Sequence, residues 1–252
     1  MVALQVNVNL NKLMKKLLIP LFAVSLMLSG CAELQQIATQ LPQGVGSVIT
    51  NADIAAGLRE ALDKGIDTQV TKLTQTDGFY KNQLVKILLP AELQKVDNTL
   101  RKVGLGSLAD EGLKALNRAA EDAVKEATPI FVTAVKNITF TDAKNILLGN
   151  DEAATNYLKG STTTQLYNKF NPVIKSSFSK VGADKVWSNI ITQYNKVPLV
   201  TKVNPDLTDY VTNKALEGVY KMIAVEEKDI RTNLSARTSA LLQRVFAMQD
   251  NK

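Results

Sequence analysis

The chain has 252 residues, of which 45% are hydrophobic and 21% are charged, as in an ordinary globular protein. It contains no histidine and one cysteine, so Ser-His-Asp and Cys-His catalysis, histidine-ligated metal sites and an intramolecular disulfide are excluded. The formal net charge is +6, and it falls to +3 without Lys12, Lys15 and Lys16. Because no basic stripe with interleaved aromatic residues is present, nucleic-acid binding is not expected.

The first thirty residues have the pattern of a bacterial lipoprotein signal peptide. Lys12, Lys15 and Lys16 precede an apolar run at 17–28. Such a run is typical of a secretory signal and is too short to span a bilayer, which takes about 20 apolar residues. Leu28-Ser29-Gly30-Cys31 follows at once and resembles the bacterial lipobox, with small residues before the cleavage site and an acyl-accepting thiol after it. The alternative is a signal peptide in which the cysteine is incidental.

Cys31 is therefore the predicted lipidation site. One acyl chain binds a membrane only marginally, at about 0.8 kcal/mol per buried methylene, so the two or three chains that the lipobox implies give a stable anchor. The resemblance also implies that an aspartate after the cysteine favours the inner membrane. Ala32 stands there instead, and we expect an outer-membrane lipoprotein that faces the periplasm. The predicted organisation is a signal peptide at 1–30, a tether at 31–48 and a helical domain at 49–248, with Met14 as an alternative start.

Beyond the tether, apolar residues recur at every third or fourth position and predict one all-α domain of about eight helices. The first helix follows Thr50 or Asn51 as its N-cap and stops at Asp77-Gly78. The longest uninterrupted helix is expected at 108–127, after a Ser107–Asp110 capping box. Its apolar stripe is rich in small residues, which lets a neighbouring helix approach closely.

Two short segments within this helical sequence have a strand-like pattern. They are Val85–Leu89 and Asn137–Phe140, which can pair as one small ribbon. Farther along, a short helix is predicted to begin at Thr141-Asp142, and two separate helices are predicted at 150–159 and 162–178.

Five segments carry a family resemblance. They are DGFYKNQLVKILLP at 77–90, LRKVG at 100–104, NRAAEDAVKEATPIF at 117–131, TDAKNILLGNDEAATNYLK at 141–159 and the sequence of residues 210–246. In this order they resemble the bacterial family defined as domain of unknown function 4197, over about residues 50 to 247. The resemblance implies a helical, lipoprotein-associated domain and carries no activity, ligand or catalytic residue. VKIL at 85–88 departs from the family, in which a proline-containing segment is expected.

Four polar residues form the candidate site: Arg101, Arg118, Glu121 and Asp142. At about 100° per helical residue, Arg118 points away from the apolar stripe and Glu121 flanks it. Arg101 and Asp142 lie near helix ends, so two cations and two carboxylates can gather into one network. The alternative for Arg118 is a surface ion pair with Asp122. The alternative for Asp142 is a helix-start carboxylate, which the helix dipole favours.

Two further patterns have plain structural alternatives. Asn150-Asp151-Glu152 places oxygen ligands at a helix start, but no full ligand set for a hard cation is visible, and we expect neither a metal nor a cofactor. Trp187 and Tyr194 share one helix face, and we expect them to pack in the domain rather than to form a shelf for a ligand. Glu227 and Arg231 form a well-oriented pair one turn apart, which is expected to be structural.

Two functions from different classes are open. The first is a membrane-anchored binding or scaffold module whose partner is an envelope protein or a small molecule. The second is a histidine-free envelope enzyme that uses carboxylate, lysine or tyrosine groups for acid/base chemistry. A concave pocket with convergent, unpaired carboxylates favours the enzyme, and an open polar or apolar face favours binding.

Replacing Cys31 with serine is expected to leave an uncleaved or soluble product, because a hydroxyl does not replace the thiol as acyl acceptor. Membrane fractionation and the mass of the mature N-terminus measure the outcome. Ser29→Ala keeps a small residue before the cleavage site and is the matched control, which should be processed normally. Recovery of Cys31→Ser in the membrane as mature, acylated protein contradicts the prediction.

Overall fold

Nine α-helices and one 3₁₀ turn form the regular structure of the residues that this computed structural model describes, namely 48–102, 104, 106–180, 182–196, 198–199 and 201–250. The helices are α1 (Asn51–Thr74), α2 (Ala91–Lys102), α3 (Gly106–Val124), α4 (Ala127–Lys136), α5 (Phe140–Leu147), α6 (Ala153–Lys180), α7 (Ala183–Tyr194), α8 (Thr208–Thr232) and α9 (Ala240–Asp250), with the 3₁₀ turn at Leu234–Ala236. The predicted signal peptide, Cys31 and the tether up to residue 47 lie outside the described residues. Within the described part, no helix is long and apolar enough to cross a membrane.

The predicted all-α class is confirmed, and the predicted ribbon is wrong, because the described residues contain no β-strand. At Asn137–Phe140 the chain instead begins α5. Thr139 and Asp142 form a capping box: the Thr139 hydroxyl accepts from the Asp142 N–H at 3.1 Å, and the Asp142 carboxylate accepts from the Thr139 N–H at 3.0 Å. The helix therefore starts before Thr141, the residue at which we predicted its beginning.

The antiparallel pair of α6 and α8 forms the centre of the domain. Thr155 near the start of α6 contacts Glu227 near the end of α8, and Asn171 contacts Thr212 near the start of α8. The buried face of α6 consists of apolar and threonine side chains, among them Leu158, Leu166, Phe170 and Ile174. This pairing gives the other helices a common surface to pack on.

The predicted break near residue 160 is wrong, because α6 is one helix of 28 residues. The hydroxyls of Ser161, Thr162 and Thr163 donate to the carbonyl oxygens of the residues four positions earlier, at 2.9, 2.6 and 2.6 Å. These bonds keep the polar run inside the helix, although such residues more often favour turns. Pro172 also lies within α6.

The small residues of α3 pack in the core, as the sequence predicts. Leu116, Ala119, Ala120 and Ala123 are at most 1% exposed, and α3 contacts both α6 and α8. At Gly112 an added Cβ would lie 2.8 Å from Trp187 Cζ2, so α7 approaches α3 closely there. The predicted Ser107–Asp110 capping box is wrong, because Ser107 already lies inside α3.

An irregular segment, 75–90, joins α1 to α2 and packs against α3 and α8. It begins with a sharp turn in which Asp77 has φ 66°, a left-handed conformation. Phe79 is fully buried. At Gly218 of α8, an added Cβ would lie 2.7 Å from Phe79 Cε1 and 3.3 Å from Val85 Cβ, so this close approach requires a glycine.

Ala123→Leu is expected to destabilise the domain by about 1–3 kcal/mol, because it inserts extra carbon atoms into a fully packed helix contact. Urea unfolding followed by circular dichroism measures the free energy of unfolding. Lys114→Leu is the matched control, since it adds the same side chain on the exposed side of α3. Equal stability of the two variants would place Ala123 at a surface that tolerates growth.

Candidate functional site

The four predicted polar residues lie in three separate clusters. Arg118 and Glu121 meet at 3.4 Å on α3. Arg101 pairs with carboxylates of α2 and α3, and Asp142 caps α5. No hydrogen bond or ion pair between described residues joins one cluster to another, so the single four-residue network that we expected does not form.

Arg118 and Glu121 fix the turn that follows α1. The Arg118 guanidinium donates to the Asp77 carboxylate at 2.9 Å. The buried Glu121 carboxylate accepts from the backbone N–H groups of Asp77 and Phe79, at 3.3 and 3.1 Å. Lys81 also pairs with Asp77 at 2.8 Å, and this hydrogen bond is the main cause that lowers the pKa of the Asp77 carboxyl. The alternative pairing of Arg118 with Asp122 is wrong, because Arg118 turns toward Asp77 instead.

Asn117, which is not among the four predicted site residues, holds the second half of the same segment. Its side-chain amide accepts from the Ile87 N–H at 2.8 Å and donates to the Ile87 C=O at 2.9 Å. Asn117 is fully buried, although helix geometry places it at the border of the apolar stripe. The border position of Asn117 and Glu121, one turn apart, is the only sequence signal that could have pointed to this clamp.

Arg101 is exposed, Asp142 is half-buried, and both have local partners. Arg101 donates to Asp97 at 3.0 Å and to Asp110 at 2.6 Å, and the bond from Arg101 is the first cause that lowers the pKa of the Asp110 carboxyl. Such exposed pairs contribute little to stability. The Thr139 hydroxyl is the main cause that lowers the pKa of the Asp142 carboxyl. Asp142 is therefore a carboxylate at the start of a helix, as the alternative interpretation expects.

A second buried polar cluster joins four helix ends. The Glu227 carboxylate accepts from the backbone N–H groups of Ala154 and Thr155, at 2.9 and 2.8 Å, and so caps the start of α6. Arg231 pairs with Glu227 at 2.8 Å and donates to the carbonyl oxygens of Ile146 and Leu147, at 2.8 and 3.0 Å, at the end of α5. The expected structural pair thus exists, and it is buried.

Arg237 extends this cluster to the C-terminal helix. It is 2% exposed and donates to the carbonyl oxygens of Ile230 and Arg231, at 3.0 and 2.8 Å, which lie at the end of α8. It also donates to the Asp250 carboxylate of α9 at 2.8 Å, and this pairing is the main cause that lowers the pKa of Asp250. The guanidinium groups of Arg231 and Arg237 therefore both donate hydrogen bonds to carbonyl and carboxylate oxygens.

A hollow of about 550 Å³ lies between the end of α6, α7 and the start of α8. We call it the α7 hollow. Its lining includes the buried side chains of Phe178 and Trp187 and four charged side chains, those of Lys175, Asp184, Lys185 and Asp206. Trp187 packs against Gly112 and is 4% exposed, so the expectation that it packs in the domain is confirmed.

The two aspartates of the α7 hollow accept hydrogen bonds, whereas its two lysine ammonium groups form no ion pair within the described residues. Asp206 accepts from the Thr208 N–H at 2.8 Å, and hydrogen bonding to the Thr208 side chain is the main cause that lowers the pKa of its carboxyl, with a smaller contribution from the charge of Lys175. Asp184 accepts from the Ser179 hydroxyl at 3.0 Å and from the Lys185 N–H at 2.8 Å. Among the described residues, no carboxylate lies within 4.0 Å of the ammonium groups of Lys175 and Lys185. The hollow therefore holds equal numbers of lysines and aspartates, and its lysines lie beside two buried aromatic side chains without an ion pair among the described residues.

The acidic run at 150–152 has a local role in the structure. The Asn150 side chain accepts from the Glu152 N–H at 3.1 Å, just before α6 begins. Within the described ranges, no group of three or more Cys, Asp or Glu side chains is close enough together to hold a metal ion.

Glu121→Ala is expected to lower the free energy of unfolding by about 1–3 kcal/mol, because it leaves two buried backbone donors without an acceptor. Chemical unfolding measures the loss. Glu126→Ala removes an exposed carboxylate one turn and a half farther along and is the control, with an expected change of about 0.5 kcal/mol or less. A Glu121→Ala protein as stable as the control would mean that these contacts contribute nothing to stability.

Comparison with known proteins agrees with the resemblance seen in the sequence. No match was found among curated proteins or among solved structures. The family model described as Protein of unknown function (DUF4197) matches residues 48–247, which include all nine described helices except the last residues of α9. The chain therefore belongs to the DUF4197 family.

Proposed function

We propose that this protein is a lipid-anchored binding module of the cell envelope, held on the outer membrane and facing the periplasm, and that the α7 hollow binds a small polar molecule with a negatively charged group. The observation that carries this proposal is the pair of lysines without carboxylate partners beside buried Phe178 and Trp187. Ligand sites typically combine an apolar floor with a few polar groups that fix orientation. The volume of about 550 Å³ is in the range of small-molecule sites.

The direction of the helices places the α7 hollow at the end of the domain opposite the start of α1. Gln69 of α1 contacts Glu226 of α8, while Phe79, which follows α1, contacts Gly218, earlier in α8. Hence α8 runs antiparallel to α1, and the start of α8 lies at the opposite end of the domain from the start of α1. A 24-residue helix spans about 36 Å, so within the domain the α7 hollow lies far from the first residue of α1.

The carboxylates favour binding over the alternative, a histidine-free enzyme. An acid/base catalyst needs a carboxylate that can exchange a proton with a substrate. Asp184 and Asp206 of the α7 hollow accept hydrogen bonds from backbone N–H groups, and buried Glu121 and Glu227 do the same. These carboxylates accept hydrogen bonds from backbone groups at helix ends and turns and are therefore not free to exchange a proton with a substrate. This supports binding as the role of the hollow.

A thermal-shift panel of dicarboxylates, sugar phosphates, amino acids and polyamines tests the proposal. We expect anionic members to raise the melting temperature of the full chain, because a ligand that binds only the folded state stabilises it. The shift should be lost in Lys175→Ala/Lys185→Ala and kept in Lys169→Ala, which removes an exposed lysine from α6 outside the hollow. No shift with any anion, or an unchanged shift in the double variant, would contradict the proposal.

A further inference from the structure

Residues 84–89 alternate between buried and exposed side chains. Val85, Ile87 and Leu89 are 6%, 2% and 6% exposed, whereas Leu84 and Leu88 are 51% and 53% exposed. Alternation with period two is the signature of an extended chain, in which successive side chains point to opposite faces. Leu84 and Val85 lie in the turn that ends where the Lys86 N–H bonds to Asn82 O, and the chain is extended from Lys86 to Leu89. The extended part resembles a short single strand that lies on helices, with Leu88 on its outer face and exposed Leu84 in the turn before it.

The backbone hydrogen bonds of this segment leave one side open. The side-chain amide of Asn117 forms hydrogen bonds with both the N–H and the C=O of Ile87. The Lys86 N–H donates to Asn82 O at 2.8 Å, and the Leu88 C=O accepts from the Tyr210 hydroxyl at 2.8 Å. Within the described residues, the Lys86 C=O and the Leu88 N–H have no partner. In an extended chain these two groups point to the side opposite the Ile87 groups, and a parallel neighbouring strand uses such a pair to bind one residue.

A groove borders this open side. It has a volume of about 420 Å³ and lies between the segment and α8. Its charged side chains are Lys86, Lys214, Lys221 and Glu217, of which Lys214 and Glu217 pair at 2.6 Å. Three lysines against one glutamate give the groove a net positive charge. A partner that complements it is therefore acidic.

The backbone that carries these unpaired groups is already fixed by contacts with α3 and α8. Asn117 fixes Ile87 from α3, and the missing side chain of Gly218 lets Phe79 and Val85 pack directly on α8. A preformed edge loses little conformational freedom on binding, which favours addition of an extended peptide over coupled folding of the segment.

From these observations we propose that residues 84–89 are a docking edge for an extended, acidic peptide segment of a partner protein. One residue of the peptide pairs with the Lys86 C=O and the Leu88 N–H. Apolar side chains on the peptide contact Leu84 and Leu88, and acidic side chains between them face Lys86, Lys214 and Lys221. This surface is separate from the α7 hollow, so the two proposals can fail independently.

Selection from a phage-displayed library of random octapeptides against the full chain in detergent tests the docking edge. We expect enriched sequences in which apolar and acidic residues alternate. A synthetic copy that is N-methylated at the residue pairing with Lys86 should bind about fivefold to tenfold more weakly, because it lacks the main-chain donor. Lys214→Glu/Lys221→Glu should weaken binding further and reverse its salt dependence, because the groove then repels an acidic peptide and added salt screens that repulsion.

Leu84→Ser/Leu88→Ser is the second variant, and Lys169→Glu on α6 is the control for added negative charge. Both leucines are exposed, so melting curves should match the wild type. Absence of enrichment, enrichment of basic sequences, or equal affinity of the peptide for the serine variant and the wild type would overturn the proposal. Binding to vesicles that contain anionic lipid, with no enriched peptide, would also overturn it and identify a membrane surface as the occupant.

Discussion

Buried irregular backbone needs partners for its N–H and C=O groups, and α3 supplies them for the segment between α1 and α2. Asn117 binds both backbone groups of Ile87, and Glu121 accepts from the N–H groups of Asp77 and Phe79. With these groups satisfied, Phe79 can be buried against α8, and the outer leucines are presented on a fixed chain. The shape of this side of the domain therefore depends on two polar side chains of one helix.

At the end of the domain where α8 finishes, charged side chains act as helix caps. Glu227 satisfies backbone donors at the start of α6, whereas Arg231 and Arg237 satisfy the last carbonyls of α5 and α8. Removing one partner of a buried pair leaves an uncompensated charge, which is why such clusters are sensitive to substitution. The side chains that have this structural role differ clearly from Lys175 and Lys185, whose charged ends face the α7 hollow without a carboxylate partner.

A ligand can be bound only by polar groups that are not already paired with other parts of the protein. In this domain Glu121, Glu227, Arg231 and Arg237 are used for helix ends and turns. Polar groups that the described contacts leave without a partner include the lysines of the α7 hollow and the backbone groups of Lys86 and Leu88 beside the groove. This distribution is the basis of the two binding sites proposed above, one that uses charge and one that uses main-chain pairing.

Local patterns were sufficient to predict several features of the structure. The 3.6-residue periodicity predicted the all-α class, Thr50 and Asp53 form the cap at the predicted start of α1, and the small residues of α3 are buried as expected. Each of these features depends on residues within a few positions of one another. The same reasoning also failed locally, at residues 159–162, where the hydroxyls of Ser161 and Thr162 bond within the helix rather than in a turn.

Tertiary structure alone decided the roles of the polar residues. Asn117 lies 30 residues from Ile87, Glu121 lies 42 residues from Phe79, and Glu227 lies 73 residues from Ala154, so helical geometry could show only that the first two border an apolar stripe. The expected ribbon failed for the same reason, since the extended part of the segment, at 86–89, is paired at Ile87 by a side chain from a distant helix and not by a second strand. A sequence pattern determines which backbone groups a segment satisfies by itself. The partners for the remaining groups depend on which distant side chains the packing brings within hydrogen-bond distance.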